Sequence, residues 1–543
     1  MSTLCLSSRC WTSTRCSQSS ALVSLRPSAR YIGYVLNLAR LDWVRLVAAA
    51  LLLNLAYPPF HLFLPSFVCL VPVLLLLHEP VGRAGRLRTH LVQGFWFGVI
   101  ANGILFHWVA VALWKFKPWI WLAYVPSILL LGLYTGVLFV LVVWLRRQAA
   151  LPLILTFPAA WTALEWLLSH HPVIQLSWLG LGTSLTRYPV FVQIADVVGA
   201  RGLTYLLVTA NVALALAWKH RSERRRRVVL LGGVVAGLTT VGVYGIARMQ
   251  IIELRRAGDV TVIQPNIEAR QKWIAISQDS IVAATLELSE SAVHSDAPDL
   301  VVWPEVALPG PLPYHARWER QLADHAWENH TPVLVGALDL RAAPDGSAIF
   351  YNAAFLFEPT PMRGRQEPYY KHSLVLLFER FNGIAAGASG GVFETPIGRA
   401  GVMICYETAF EQFARAHARN GTAFLVGMSN DAWFSATTGP SQHFAHLVMR
   451  AIETRRGVAR AANTGPSGFV DPLGHPHHRS PEDVATFVTG PLITSDAVSP
   501  YVRLGDWVGT LSLLLTVSFG VIATLRRRGG WSVDKVSVES GGL

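Results

Sequence analysis

From residue 43 onward the apolar positions run in blocks rather than in stripes. Eight stretches are almost free of charge and approach the ~20 residues that a helix needs to cross a bilayer. They are 43–59, 60–78, 94–113, 119–145, 150–169, 202–218, 228–247 and 507–525. Only Pro58-Pro59 separates the first two, which reads as a tight hairpin. The fifth holds Glu165, a carboxylate costly in lipid and therefore a functional candidate; a place at the membrane surface is the plain alternative. The semi-polar stretch 169–200 reads as a loop along that surface.

Between 248 and 506 the pattern changes. Short apolar runs suited to strands occur at Asp259–Gln264, Leu300–Trp303, Pro332–Leu338, Ala353–Phe357, Ala400–Cys405, Ala423–Met428, Gly468–Asp471 and Val484–Val488. Helical periodicity fits 268–293, 316–329, 408–419 and 440–456. Strands alternating with helices predict a layered α/β sandwich.

Composition supports this division. Hydrophobic residues are 52% of the 543 and charged residues 15%, against about a quarter charged in soluble domains. The net charge of +12 is unevenly placed. Residues 1–250 hold 22 Lys+Arg and 5 Asp+Glu, and residues 251–543 hold 24 and 29. Basic clusters between apolar runs are the habit of a multi-span membrane protein, not of a nucleic-acid face.

Cytoplasmic loops are enriched in Lys and Arg. With the N-terminus inside, beside Arg40 and Arg45, the alternate loops carry Arg83, Arg86 and Arg88, then Arg146-Arg147, then Lys219, Arg221 and Arg224 to Arg227, and finally Arg526 to Arg528. Residues 248–506 then fall outside the cytoplasm. The expected plan is an N-terminal extension (1–35) that is disordered or reflects a mis-called start, and a seven-helix membrane domain (36–250). A catalytic domain (251–500), a C-terminal transmembrane helix (501–528) and a cytoplasmic tail (529–543) follow.

Of the five cysteines, Cys5, Cys10 and Cys16 crowd the N-terminus and Cys69 lies in an apolar run. Cys405 ends a strand-like run, Val402-Met403-Ile404-Cys405-Tyr406-Glu407. Two other run ends carry chemistry: Val301-Val302-Trp303-Pro304-Glu305 and Tyr369-Tyr370-Lys371. Strand ends are where α/β enzymes place reactive groups. Singly, each reads as a loop glutamate, a surface lysine or a buried structural cysteine.

In the order Glu, Lys, Cys these residues resemble the nitrilase superfamily. Further motifs narrow the resemblance to its membrane-embedded apolipoprotein N-acyltransferase branch. They are Gln264-Pro265-Asn266-Ile267, Trp273, Ser429-Asn430-Asp431-Ala432-Trp433-Phe434, Gly439-Pro440, Gln442-His443, Arg450-Ala451, Arg460-Ala461-Ala462-Asn463-Thr464-Gly465 and Asp471-Pro472-Leu473-Gly474. The likeness runs from about residue 43 to 525.

It implies a membrane bundle of about eight helices carrying an extracytoplasmic αββα sandwich in the bacterial inner membrane. Cys405 would be the nucleophile, Glu305 the base and Lys371 the electrostatic partner. Glu379 would be a second active-site glutamate, Tyr406 and Glu407 would shape the pocket, and Trp273 would lie in a flexible lid. A phospholipid would give its acyl chain to Cys405 as a thioester. The α-amino group of an S-diacylglyceryl cysteine on a lipoprotein would then accept it. No cofactor, metal or nucleic acid is implied, and the chain is expected to act as a monomer.

Two alternatives stand beside this: a membrane-tethered amidase, which would release free acid without an amine acceptor, and a silent docking module, which has no need of all three residues. One stretch departs from the family. Where it shows His-Leu-Val-Pro-Phe-Gly-Glu, this chain has Ser373-Leu374-Val375-Leu376-Leu377-Phe378-Glu379. The loop is expected to take its own path and to act as a greasy gate. His475-Pro476-His477-His478 lacks acidic or thiol partners at ligand spacing and reads as a surface turn. His443 and His446 share a helical face and read as core residues or as supports behind a site, not as metal ligands.

Overall fold

The computed structural model of the chain describes residues 38–528, apart from 78–85, 117–118, 173–174, 179, 275–276, 363, 377 and 389. The expected extension 1–35 and tail 529–543, together with Arg83, Lys117 and Leu377, lie outside the described residues.

The apolar stretches fold as helices, but not as eight equal ones. Among the described residues, four helices are long and apolar enough to cross a membrane by themselves: Tyr124–Ala149, Ala195–Lys219, Arg224–Ile251 and Trp507–Arg528. The stretch 94–113 becomes a pair, Arg86–Leu105 and His107–Phe116, bent by 58°. The stretch 60–78 is not one helix: Phe63–Val68 and Val71–Leu76 meet at a break, with Pro72 in the first turn of the second. Even end to end they would rise only ~21 Å at ~1.5 Å per residue, short of the ~30 Å hydrocarbon core.

Small residues set the closest helix pairing. Gly94 and Gly98 on Arg86–Leu105 face Gly132 and Gly136 on Tyr124–Ala149. A Cβ on Gly94 would lie 2.8 Å from the Gly136 Cα, and one on Gly98 2.9 Å from the Gly132 Cα. Without a hydrophobic force between helices in lipid, such close backbone approach supplies the packing energy. The opposite case is Arg224–Ile251, apolar but with only Gly245 buried. Such a surface is stable facing lipid, not water.

The later region is built on two sheets. The first contains β1 (Arg255–Gln264), β2 (Leu300–Val302), β3 (Val333–Ala342), β4 (Ala348–Phe357), β5 (Tyr369–Tyr370), β6 (Ile384–Ala385) and β13 (Thr486–Thr494). The second contains β7 (Val392–Thr395), β8 (Gly398–Ile404), β9 (Phe424–Ser429), β10 (Gly457–Ala462), β11 (Gly468–Val470) and β12 (Pro476–His477). Their orders are β13-β1-β2-β3-β4-β5, with β6 on β4, and β12-β11-β10-β9-β8-β7.

Alternation along each strand sorts the side chains into layers. Val260, Val262, Val302, Val402, Ile404 and Val426 fill the space between the sheets. Ile263, Val301, Trp303 and Val335 turn to the helices Gln278–Asp296 and Ala316–Glu328. The predicted helix 268–293 is shorter than its periodicity implied: it starts at Gln278, after a 3-10 turn at Gln271–Trp273.

The second sheet carries Glu411–Arg419 and Gly439–Thr454. Every residue of the latter except Ser441 is buried, because its outer face meets the apolar region rather than solvent. Ionic ties cross this seam. Arg201 Nη1 lies 2.5 Å from Glu411 and 2.7 Å from Asp506. Arg455 lies 2.7 Å from Asp196, which Arg248 also meets at 2.7 Å from within the apolar region. Glu453 accepts from the Ala200 backbone N–H at 2.8 Å.

Candidate active site

Three strand ends converge. Glu305 follows β2, Lys371 follows β5, and Cys405 follows β8 of the other sheet. The site therefore straddles the end of the inter-sheet core. Gly336 on β3 lets the Glu305 turn lie flat, since a Cβ there would sit 2.3 Å from the Pro304 carbonyl oxygen. Lys371 is held next to β4 by its N–H, which donates to the Asn352 carbonyl at 2.8 Å.

Lys371 is 1% exposed and Glu305 6%. Lys371 Nζ donates to Glu305 Oε1 and to Glu379 Oε1, each at 2.9 Å. Asn352 Nδ2 bridges the same two oxygens at 2.7 and 2.8 Å. The Asn430 N–H donates to Glu305 Oε2 at 3.0 Å. Burial opposes the lysine's charge, but Glu305, Glu379 and Cys405 hold its pKa well above the ordinary value. The lysine is a fixed cation.

Cys405 takes φ +50°, a left-handed conformation uncommon outside glycine and often found at functional sites. It opens the 3-10 turn Cys405–Ala409 and keeps a partly exposed side chain. Burial, then Glu305, push its thiol well above the usual value, with Lys371 opposing. Burial and the neighbouring carboxylates thus favour the neutral thiol against the pull of Lys371.

Glu407 clamps two of the three strand ends. Its Oε2 accepts from the Ile404 N–H at 2.7 Å. Its Oε1 accepts from Tyr369 Oη at 2.8 Å and from the N–H groups of His372 and Ser373 at 2.7 and 3.2 Å. Tyr406 points toward the apolar region, donating to the Gln175 carbonyl at 2.5 Å and stacking on Trp178. Glu379 reaches Lys371 although its loop lacks the expected proline and glycine. A local turn, with Val375 N–H on Glu379 Oε2 at 2.8 Å, supplies the curvature instead. Within that loop Leu376 is 41% exposed, and Phe378 packs on Phe116 and Trp433.

Trp273 ends the short turn Gln271–Trp273, and its side chain lies outside the described residues. Its neighbour Lys272 is a residue the sequence did not single out. It is 1% exposed, donates to the Val306 carbonyl at 2.8 Å, and is lowered to about 8 by burial, with Glu305 opposing. Asn352 was also missed. A polar residue inside the apolar run of β4 is its only signal.

Other candidates sit elsewhere. Glu165 accepts from Trp161 Nε1 at 2.9 Å and the Leu181 N–H at 3.2 Å, on the wall of a cavity of about 60 Å³ that also touches Tyr57, Asn102 and Tyr134. His475 pairs with Asp471 at 3.1 Å on an exposed turn. His443 and His446 are buried, as core residues should be.

Known proteins share both regions. Residues 49–213 match the apolipoprotein N-acyltransferase N-terminal domain, and residues 259–489 match the carbon-nitrogen hydrolase family. An apolipoprotein N-acyltransferase from Geobacter metallireducens is 31% identical over 86% of this chain and 92% of its own length. Its namesakes from Chlorobaculum tepidum and Methylococcus capsulatus are 26% and 29% identical, covering 88% and 85% of this chain and 96% and 92% of theirs. The chain belongs to the apolipoprotein N-acyltransferase family.

Proposed function

We propose that this protein moves an acyl chain from a phospholipid to the α-amino group of a lipoprotein's S-diacylglyceryl cysteine, through a thioester on Cys405. The observation that carries the reading is the convergence of Glu305, Lys371 and Cys405 at one end of a sandwich docked on apolar helices. The sulfur attacks the ester carbonyl as its proton passes to Glu305. Negative charge then builds on the carbonyl oxygen. Lys371 stabilises it, with the N–H of Tyr406, which opens a helical turn and so has no acceptor within it. Collapse expels the lysophospholipid alkoxide, which takes the proton back from Glu305, and leaves the acyl thioester.

The amine of the acceptor then attacks the thioester. Glu305 accepts a proton from the nitrogen, the C–S bond breaks, the leaving sulfur takes that proton back from Glu305, and the amide departs. Water must be kept from the thioester between these steps. Phe378, Phe116 and Trp433, packed together beside the Lys371 loop, form an apolar wall suited to that. The alternating basic loops favour a membrane protein with the site on the outer face; the family likeness adds the bacterial inner membrane, and the steps above call for neither a metal, a cofactor nor a second chain.

The test is transfer from phospholipid vesicles to a synthetic diacylglyceryl-cysteinyl peptide, followed by mass spectrometry. The expected result is a gain of one acyl chain on the peptide amine, absent with Cys405→Ser. Free fatty acid released equally well without any acceptor would support the amidase reading instead.

A further inference from the structure

Behind Cys405 lies a buried row of ionisable groups that the acyl-transfer scheme leaves unused. Asp431, His443 and Arg460 are each no more than 1% exposed. His443 Nδ1 lies 3.0 Å from Asp431 Oδ1. On the other side, Nε2 lies 3.0 Å from the carbonyl oxygen of Cys405 and 2.9 Å from Thr408 Oγ1. The Thr408 hydroxyl can donate to that same carbonyl, at 2.8 Å. Arg460 pairs with the other oxygen of Asp431, and Ser429 Oγ donates to Oδ1 at 2.5 Å.

Both ring nitrogens therefore face acceptors. A carbonyl has no hydrogen to give, and a carboxylate paired with an arginine has none either. A neutral imidazole carries one N–H and one lone pair, and either tautomer would aim its lone pair at an oxygen. Ser429 Oγ at 3.3 Å and Arg460 Nη2 at 3.4 Å also approach Nδ1, but Asp431 is nearer and both donors are turned to it. Two protons on the ring satisfy every contact.

We infer that His443 is a doubly protonated positioning residue for the nucleophile. Held by Asp431, it donates to the Cys405 carbonyl, keeps that residue in its left-handed conformation and sets a positive charge behind the thiol. This rests on Cys405 being the nucleophile. The charges acting on Cys405 are Glu305, Asp431 and Glu379 against Lys371, three carboxylates against one cation. The imidazolium stands between Asp431 and the cysteine and offsets that carboxylate. The charged groups around the ring itself are Asp431, Arg460, Arg450 and the neighbouring His446, which burial, then these cations, keep neutral.

The experiment is the rate of Cys405 alkylation by iodoacetamide against pH, on the full chain in detergent, read from the Cys405 peptide. His443→Gln keeps an amide able to reach the carbonyl but removes the charge. The midpoint of the profile should rise by about one pH unit or more. Adding Asp431→Asn should bring it back toward the parent. Thr408→Val, which removes a neutral donor to the same carbonyl, should leave it in place. A damaged fold lowers the alkylated fraction without moving the midpoint. An unmoved midpoint in folded His443→Gln overturns the inference.

If that variant does not fold, the double variant decides. Its midpoint falls at or above the parent's if the ring is charged. It falls below if the ring is neutral, since only a negative charge has then been removed. Lack of acylation in the parent would refute the nucleophile and leave this measurement readable.

Discussion

Glu407→Gln is nearly isosteric, yet four donors and no acceptor surround this side chain. Three converge on Oε1: the Tyr369 hydroxyl and the N–H groups of His372 and Ser373. One, from Ile404, meets Oε2. The glutamine oxygen can serve one side only. Its least costly choice keeps the three and turns the NH2 against the Ile404 N–H. A hydrogen bond to a charged acceptor is worth about 1.5–3 kcal/mol, and a buried donor left unpaired costs about 1–3. The expected penalty is at least about 3 kcal/mol.

Ile404 immediately precedes Cys405, so the strain falls on the turn that carries the proposed nucleophile. If the fold bears it, thermal denaturation in detergent shows the loss. If the turn shifts to relieve it, the same energy slows Cys405 acylation by roughly a hundredfold. Both are measured on one preparation, by melting and by the mass of the Cys405 peptide after mixing with phospholipid. A variant that melts with the parent and acylates within twofold of its rate would refute this reading of Glu407 as the clamp.

Leu376→Asp, on the exposed tip of the loop after Lys371, should slow acylation from vesicles severalfold while leaving the melting transition unchanged; equal acylation rates would remove the gate. Arg201→Leu leaves Asp506 buried without its cation and Glu411 with only the more distant Arg450, at 3.9 Å, a change that costs about 3–5 kcal/mol. Its melting temperature should fall sharply and recover in part with Glu411→Gln and Asp506→Asn. Burial works against the Asp431 carboxylate, but Arg460 and His443 hold it down to about 2, from 3.8. A depressed carboxylate stabilises above its unfolded pKa, so about 2 kcal/mol should be lost as pH falls from about 4 through 2. Asp431→Asn should flatten that part of the melting-versus-pH curve.

The parts of this molecule legible in its sequence are those where one residue type dominates a local pattern. Apolar blocks long enough for lipid and the strand ends at Glu305, Lys371 and Cys405 belong there. Helix continuity does not: the 60–78 block is apolar throughout, yet a break separates two short helices, Phe63–Val68 and Val71–Leu76. Strand β10 was unread as a strand because its Arg460 looks polar, whereas the guanidinium is buried on Asp431. The helix Gly439–Thr454, buried but for Ser441, looks amphipathic, since its polar face is answered by other segments rather than by water. Asn352 and Lys272 owe their importance to neighbours 47 and 33 positions away, Glu305 in both cases. No local pattern encodes that proximity. Glu379 was legible by position, but the turn that delivers it was not.

The most direct measurement concerns the thioester itself. Purified protein is mixed with phospholipid alone, digested, and the Cys405 peptide weighed. The account predicts an added acyl chain that hydroxylamine removes and an amine acceptor discharges, with none on Cys405→Ala. An unmodified Cys405 in a preparation that still acylates the acceptor peptide would contradict it.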